Sequence, residues 1–217
     1  MEKINVYLMP GMAASSKIFE YIRLPEFYLI HNLDWITPNV NETLELYAKR
    51  ICKKINKPDP ILIGVSFGGI LIQEISKHLN YKKIIIISSI KTSSELPLSM
   101  RMARKTNIHK ILPFQWIKNL DKLALFTFGN GIKNKIKLYQ KYLSFKDPNY
   151  LKWAMNCIVN WDQKEIIKGL IHIHGKEDNV FPIKNISGSV HLLEGNHAII
   201  ITKANQISKL LSKLLNN

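Results

Sequence analysis

The 217-residue sequence is short of cysteine, arginine and acid, and it lacks a long apolar run. Its two cysteines, Cys52 and Cys157, lie 105 residues apart. That spacing makes neither a metal site nor a disulfide framework, so they read as reduced thiols of a cytoplasmic protein. The longest strongly apolar run, Ile84–Ile87, is far below the roughly 20 residues of a membrane span. The apolar stretch at Met1–Leu8 is too short for a signal peptide and reaches Pro10–Gly11 at once. These absences predict a soluble, cytoplasmic chain with no stable membrane insertion. No period of 20–50 residues recurs, which excludes a repeat array.

Acids number 16 against 31 Lys+Arg, a net charge of +15. A surplus of that size first points to an anionic partner. Only four of the 31 cations are Arg, however, and nucleic-acid binders lean on Arg for base and phosphate forks. Ile, Lys and Asn supply 79 of 217 residues, or 36%, as an A/T-rich coding sequence would produce without any functional pressure. A nucleic-acid partner is therefore not expected. What is present suits one globular domain: 46% hydrophobic residues can build a sizeable core.

The first ninety residues alternate strand and helix signals. Ile4–Leu8, Phe27–Leu33, Ile61–Ile63 and Ile84–Ile87 read as strands. Ser15 or Ser16 opens a short helix through Arg23. Asn41 is expected to cap a helix with Leu44, Tyr47, Ala48, Ile51 and Ile55 on one face. Another helix, with Ile70, Leu71, Ile75 and Leu79 apolar, follows the third strand. That alternation predicts an α/β protein with a parallel sheet and crossover helices. From about 97 to 162 helical signals dominate. Strands resume at Gly169–Ile173 and Ser189–Leu193, and a last helix runs from about Ile199 to Leu215. A helical insertion is thus expected between the fourth and fifth strands.

Gly64–Val65–Ser66–Phe67–Gly68 lies between an apolar strand and an amphipathic helix. In that context the pattern reads as a nucleophile elbow. The turn strains the serine backbone, so its neighbours must be tiny, and Gly69 helps the helix pack close to the strand. A serine hydroxyl needs a base. His197, in Gly195–Asn196–His197, follows a strand and precedes the last helix, where a loop can carry a side chain over the sheet edge. His191 is the rival but falls inside a strand pattern, and His31, His78 and His109 have no motif around them. The imidazole in turn needs a carboxylate. Asp178 sits on the loop beyond the strand ending at Ile173; Glu177, Asp147 and Asp162 are weaker candidates. His174 reads as a packing or hydrogen-bonding residue. An oxyanion needs two backbone N–H donors. Phe67 supplies one, and Met12 is assigned the other because Gly11 lets the backbone approach closely.

With Ser66, Asp178 and His197 in that order, the chain resembles the α/β-hydrolases over essentially its whole length. The resemblance implies one domain spanning 1–217. Its core would be 1–96 and 163–217, with a helical lid at about 97–162. It departs from the family twice. Pro10–Gly11 replaces the usual His-Gly before the oxyanion loop, and the two leading strands have no counterpart, leaving a mostly parallel sheet of about six strands.

A serine nucleophile argues against the dehalogenase and epoxide-hydrolase branches. It favours hydrolysis of a carboxylic ester or thioester with an apolar acyl group, and no metal or organic cofactor is implied. Gly11, Trp116, Phe126, Trp153 and Trp161 are candidate pocket residues. Residues 97–162 hold 12 Lys+Arg against three acids, a surplus of nine. That basic rim suits an acidic acyl carrier protein or a CoA ester, as in the pimeloyl–carrier-protein methyl ester esterases. The alternative of another class is a non-catalytic binding protein on the same fold.

Overall fold

A computed structural model describes residues 3–107 and 141–216. Six strands form one sheet, and every neighbouring pair is parallel. They are β1 (Ile4–Met9), β2 (Tyr28–Asn32), β3 (Ile61–Val65), β4 (Lys83–Ile87), β5 (Ile171–Gly175) and β6 (His191–Leu193), in the order β2-β1-β3-β4-β5-β6. Helix α1 (Leu44–Cys52) connects β2 to β3, and α2 (Phe67–Ile75) connects β3 to β4. Helices α3 (Leu98–Thr106) and α4 (Pro148–Asn160) lie between β4 and β5. Helices α5 (Ile199–Thr202) and α6 (Ala204–Asn216) follow β6.

The β-branched run at Ile84–Ile87 is fully buried, as a strand covered on both faces requires. Its neighbour β3 is buried along its whole length. Tyr47, Ala48 and Ile51 turn one face of α1 into the core. In α6 the buried stripe is Ile207, Leu211 and Leu215, one residue every four.

Four expectations shift. Thr43, not Asn41, caps α1: its hydroxyl accepts from Leu46 N at 3.2 Å, while Asn41 takes a left-handed turn at φ 57°. The segment opened by Ser15 is a single 3-10 turn, Ser16–Phe19. Strand β5 starts at Ile171 because Gly169 is spent on a turn at φ 77°. The last helix is two, broken at Lys203 (φ −124°, ψ 25°), whose carbonyl then accepts from Ile207 N to start α6.

The chain steps from β1 to β2 on one side and to β3 on the other, so strand order reverses between β1 and β3. The carboxyl ends of strands at such a reversal are where open parallel sheets leave a crevice. The loops after β1 and β3, which begin at Pro10 and Ser66, both open there.

Candidate active site

Ser66 stands between β3 and α2 with φ 53° and ψ −122°. A non-glycine residue held there stores on the order of 1–3 kcal/mol of strain, so its surroundings must over-determine it. Ser66 N donates to Ile87 O at 2.9 Å, and Ser89 Oγ donates to Ser66 O at 2.7 Å. The flanking glycines are required by space: a Cβ on Gly64 would lie 2.4 Å from Gly68 O, and one on Gly68 would lie 2.3 Å from Pro10 O. A Cβ on Gly69 would lie 2.6 Å from Ser89 Cβ, which accounts for the tight approach of α2.

His197 and Asp178 come to the same place. Ser66 Oγ lies 2.9 Å from His197 Nε2, and His197 Nδ1 lies 2.7 Å from Asp178 Oδ2. A carboxylate only accepts, so Nδ1 carries the proton and Nε2 is free to accept from the serine hydroxyl. Asp178 Oδ1 accepts from Val180 N (2.8 Å) and Phe181 N (2.9 Å). Burial by itself would raise the Asp178 pKa; His197, His174 and the Phe181 N–H outweigh it and hold the carboxyl below its ordinary value. Its neighbour Glu177 is exposed. Gly175 lets the two loops meet, since a Cβ there would lie 2.5 Å from Gly195 O.

The other candidates fall elsewhere. His191 is exposed on β6, in register with Ile173. His31 stacks on Tyr7 and bonds Asn5. Asp147 caps α4, and Asp162 pairs with Arg104 and Lys164. His109 lies outside the described residues.

Behind Asp178, His174 is the hydrogen-bonding residue that the sequence suggests, and its pairing with His172 is an addition. His174 Nε2 donates to Phe181 O at 2.8 Å and lies 3.4 Å from Asp178 Oδ2. Its Nδ1 must then accept, and it does so from His172 Nε2 at 3.0 Å. Burial lowers the pKa of both rings, that of His172 to about 2, so both are neutral.

The loop after β1 is held from three sides. Gly11 O accepts from Trp35 Nε1 (2.8 Å), Ala13 N donates to Tyr150 Oη (3.3 Å), and Ala13 O accepts from Ser144 and Phe145. Trp35 also stacks flat on Phe67, with centroids 5.0 Å apart and planes 8° apart. The loop's left-handed residue is Ala13 (φ 64°); Gly11 is needed for space, its absent Cβ being 3.3 Å from Ser66 Cβ. Among the described residues, the N–H groups of Met12 and Phe67 have no protein acceptor. Unpaired backbone donors at such a place are ready for a ligand oxygen. Trp35 was missed because it precedes α1 in sequence and carries no motif.

Ser66 and His197 open into a cavity of about 180 Å³ lined by Gly11, Met12, Met100, Leu143, Met155 and Ile158. Trp153 and Trp161 are not on this wall, which corrects the expected pocket. On α4, Met155 and Ile158 face the cavity, whereas Trp153 and Cys157 share the other face. The indole N–H groups decide the matter: Trp153 donates to Glu42 O and Trp161 to Glu74 Oε1, both at 2.7 Å. Trp116 and Phe126 lie outside the described residues. No cluster of possible metal ligands and no helix long and apolar enough to cross a membrane occurs among the described residues.

No protein family and no curated protein matches the chain by sequence. Solved structures do match in shape. A hydrolase from Oleispira antarctica superposes with TM-score 0.77 at 16% identity, over 100% of this chain and 93% of that one. A hydrolase from Pseudomonas aeruginosa PA01 gives 0.76 at 12% identity, over 99% and 91%. The enol-lactonase from Burkholderia xenovorans LB400 gives 0.71 at 11% identity, over 100% and 93%. With its parallel sheet, serine turn and switch-point cavity, the chain has the α/β-hydrolase fold.

Proposed function

We propose that the protein is a serine hydrolase that cleaves a carboxylic ester or thioester carrying a short apolar acyl group. One observation carries the reading: the continuous chain Ser66 Oγ–His197–Asp178, at 2.9 and 2.7 Å, at the floor of an apolar cavity. His197 takes the Ser66 proton as the hydroxyl attacks the acyl carbon. The N–H groups of Met12 and Phe67 receive the oxyanion. The proton then passes to the leaving oxygen or sulfur, and an acyl-serine remains. Water, activated by the same imidazole, releases the acid. Asp178 holds the ring and stabilises its charged form. The cavity, about 180 Å³, slightly exceeds the ~150 Å³ that admits a benzene ring. That size supports a short acyl group.

Residues 97–162 are read as the lid of a single domain, since Met100, Met155 and Ile158 close the cavity from α3 and α4. The basic character of that segment supports a second reading, an esterase or thioesterase for carrier-bound acyl groups. Hydrolysis of p-nitrophenyl esters of increasing chain length, wild type against Ser66→Ala, tests the main reading. Short esters are expected to turn over best, and Ser66→Ala should lower kcat at least 10³-fold, in line with loss of a triad nucleophile. Failure of a fluorophosphonate to label Ser66 in folded protein would leave a non-catalytic binding role.

A further inference from the structure

We propose that the cleft beside α3 binds the phosphate group of the substrate's alcohol or thiol half; the inference rests on the hydrolase reading of Ser66. The cleft, of about 550 Å³, is lined by the apolar Leu96 and by the polar residues Ser93, Ser94, Arg101, Arg104, Lys105 and Lys164. Arg101, Arg104 and Lys105 stand at i, i+3 and i+4 of α3, so they project from one face. Three cations crowded on one face repel one another unless an anion joins them. Asp162 serves Arg104 at 2.9 Å and Lys164 at 2.6 Å. Arg101 and Lys105 have no carboxylate partner among the described residues. One acid against four cations leaves a surplus of three. The remaining polar lining is hydroxyl, from Ser93 and Ser94.

Such a lining is rich in donors. Its complement is a compact anion with several acceptor oxygens, which is the chemistry of phosphate. The walls are built rather than merely adjacent: Ser93 N donates to Gln163 O at 2.8 Å, tying the segment after β4 to the one before β5. The position gives the site its meaning. Met100 lines the Ser66 cavity while Arg101, the next residue, lines the cleft. Helix α3 therefore presents an apolar contact to the acyl end and cations to whatever extends beyond it. An ester or thioester with an apolar acyl group and a phosphorylated leaving half matches both.

Two measurements test this. Inorganic phosphate is titrated by calorimetry into wild type, Ser66→Ala and the double variant Arg101→Ala/Lys105→Ala. Hydrolysis of butyryl-phosphopantetheine is compared with that of butyryl-pantetheine, which differs only by the phosphate. Wild type and Ser66→Ala are expected to bind phosphate alike, and the double variant at least tenfold more weakly. In wild type the phosphorylated thioester should show a KM at least tenfold below its partner's, and the double variant should erase that ratio. Arg101 and Lys105 are both exposed, so the double variant is expected to fold. Phosphate binding without hydrolysis of either thioester would sink the Ser66 reading and leave the cleft standing. Phosphate binding with equal KM values would mean that the cleft takes free phosphate, which overturns the substrate handle. Absence of phosphate binding in wild type overturns the proposal.

Discussion

Trp35 touches both halves of the proposed oxyanion site. Its N–H fixes the Gly11 carbonyl, and its ring lies flat on Phe67. Trp35→Phe keeps much of the stack and removes one of the two donors to that carbonyl, which retains Ala14 N at 3.1 Å, at a cost of about 0.5–1.5 kcal/mol. If part of the cost falls on the transition state, kcat should drop about threefold, roughly 0.7 kcal/mol, with KM little changed. Steady-state kinetics alongside thermal melting check this. A loss of stability with unchanged kcat would make Trp35 a packing residue only. Ser66 offers the matching lesson in strain: its φ of 53° is held from two sides, by Ile87 and Ser89 on β4 and beyond and by Gly69 N and Ile70 N of its own helix, which donate to Ser66 O.

Between elements, the segment after β4 is locked to the one after β5 by a buried ion pair. Lys91 and Glu95 are 2% and 1% exposed and lie 3.8 Å apart. Glu95 accepts from Ser187 N and Oγ and from Lys91 N, while Lys91 Nζ donates to Ser187 O. Burial lowers the Lys91 pKa and Glu95 partly restores it. Removing one partner strands the other charge. Lys91→Met is therefore expected to cost about 3 kcal/mol, read as a fall in the denaturant midpoint. Lys91→Met/Glu95→Gln should recover part of the loss; if the double variant is as unstable as the single, the pair is not the cause.

For the whole molecule, the neutral histidine pair predicts the response to acid. His172 is held at about 2, against an ordinary 6.5. Between those values the unfolded chain binds a proton that the fold refuses, so stability falls as pH drops below 6.5. From pH 7 to pH 5 the loss from this ring is about 2 kcal/mol. Asp178 adds to it only further down: its contribution is present above 3.8 and is lost as pH falls through its depressed folded value. Melting at pH 7 and pH 5 should show a steeper loss in wild type than in His172→Gln. Equal slopes would exclude the ring as the source. The net charge of +15 also takes a local form, because four of its cations converge on one cleft.

The sequence by itself determined the sheet and the order of the candidate site residues. The β-branched run Ile84–Ile87 suits a strand covered on both faces, and in Gly64–Val65–Ser66–Phe67–Gly68 the glycines stand where a Cβ would clash in the turn. Asp178 and His197 were legible because each sits one loop beyond a strand. Boundaries drifted where a single glycine or cap decided them, as at Thr43, Gly169 and Lys203. Only the tertiary structure decided which side chains face the cavity, because helical spacing defines faces but not what each face meets. Trp153 and Trp161 turned away to satisfy their N–H groups on Glu42 and Glu74, and Met100 and Met155 took the wall. Trp35, the His172–His174 relay and the basic cleft join residues distant in the chain, and no local pattern records such meetings.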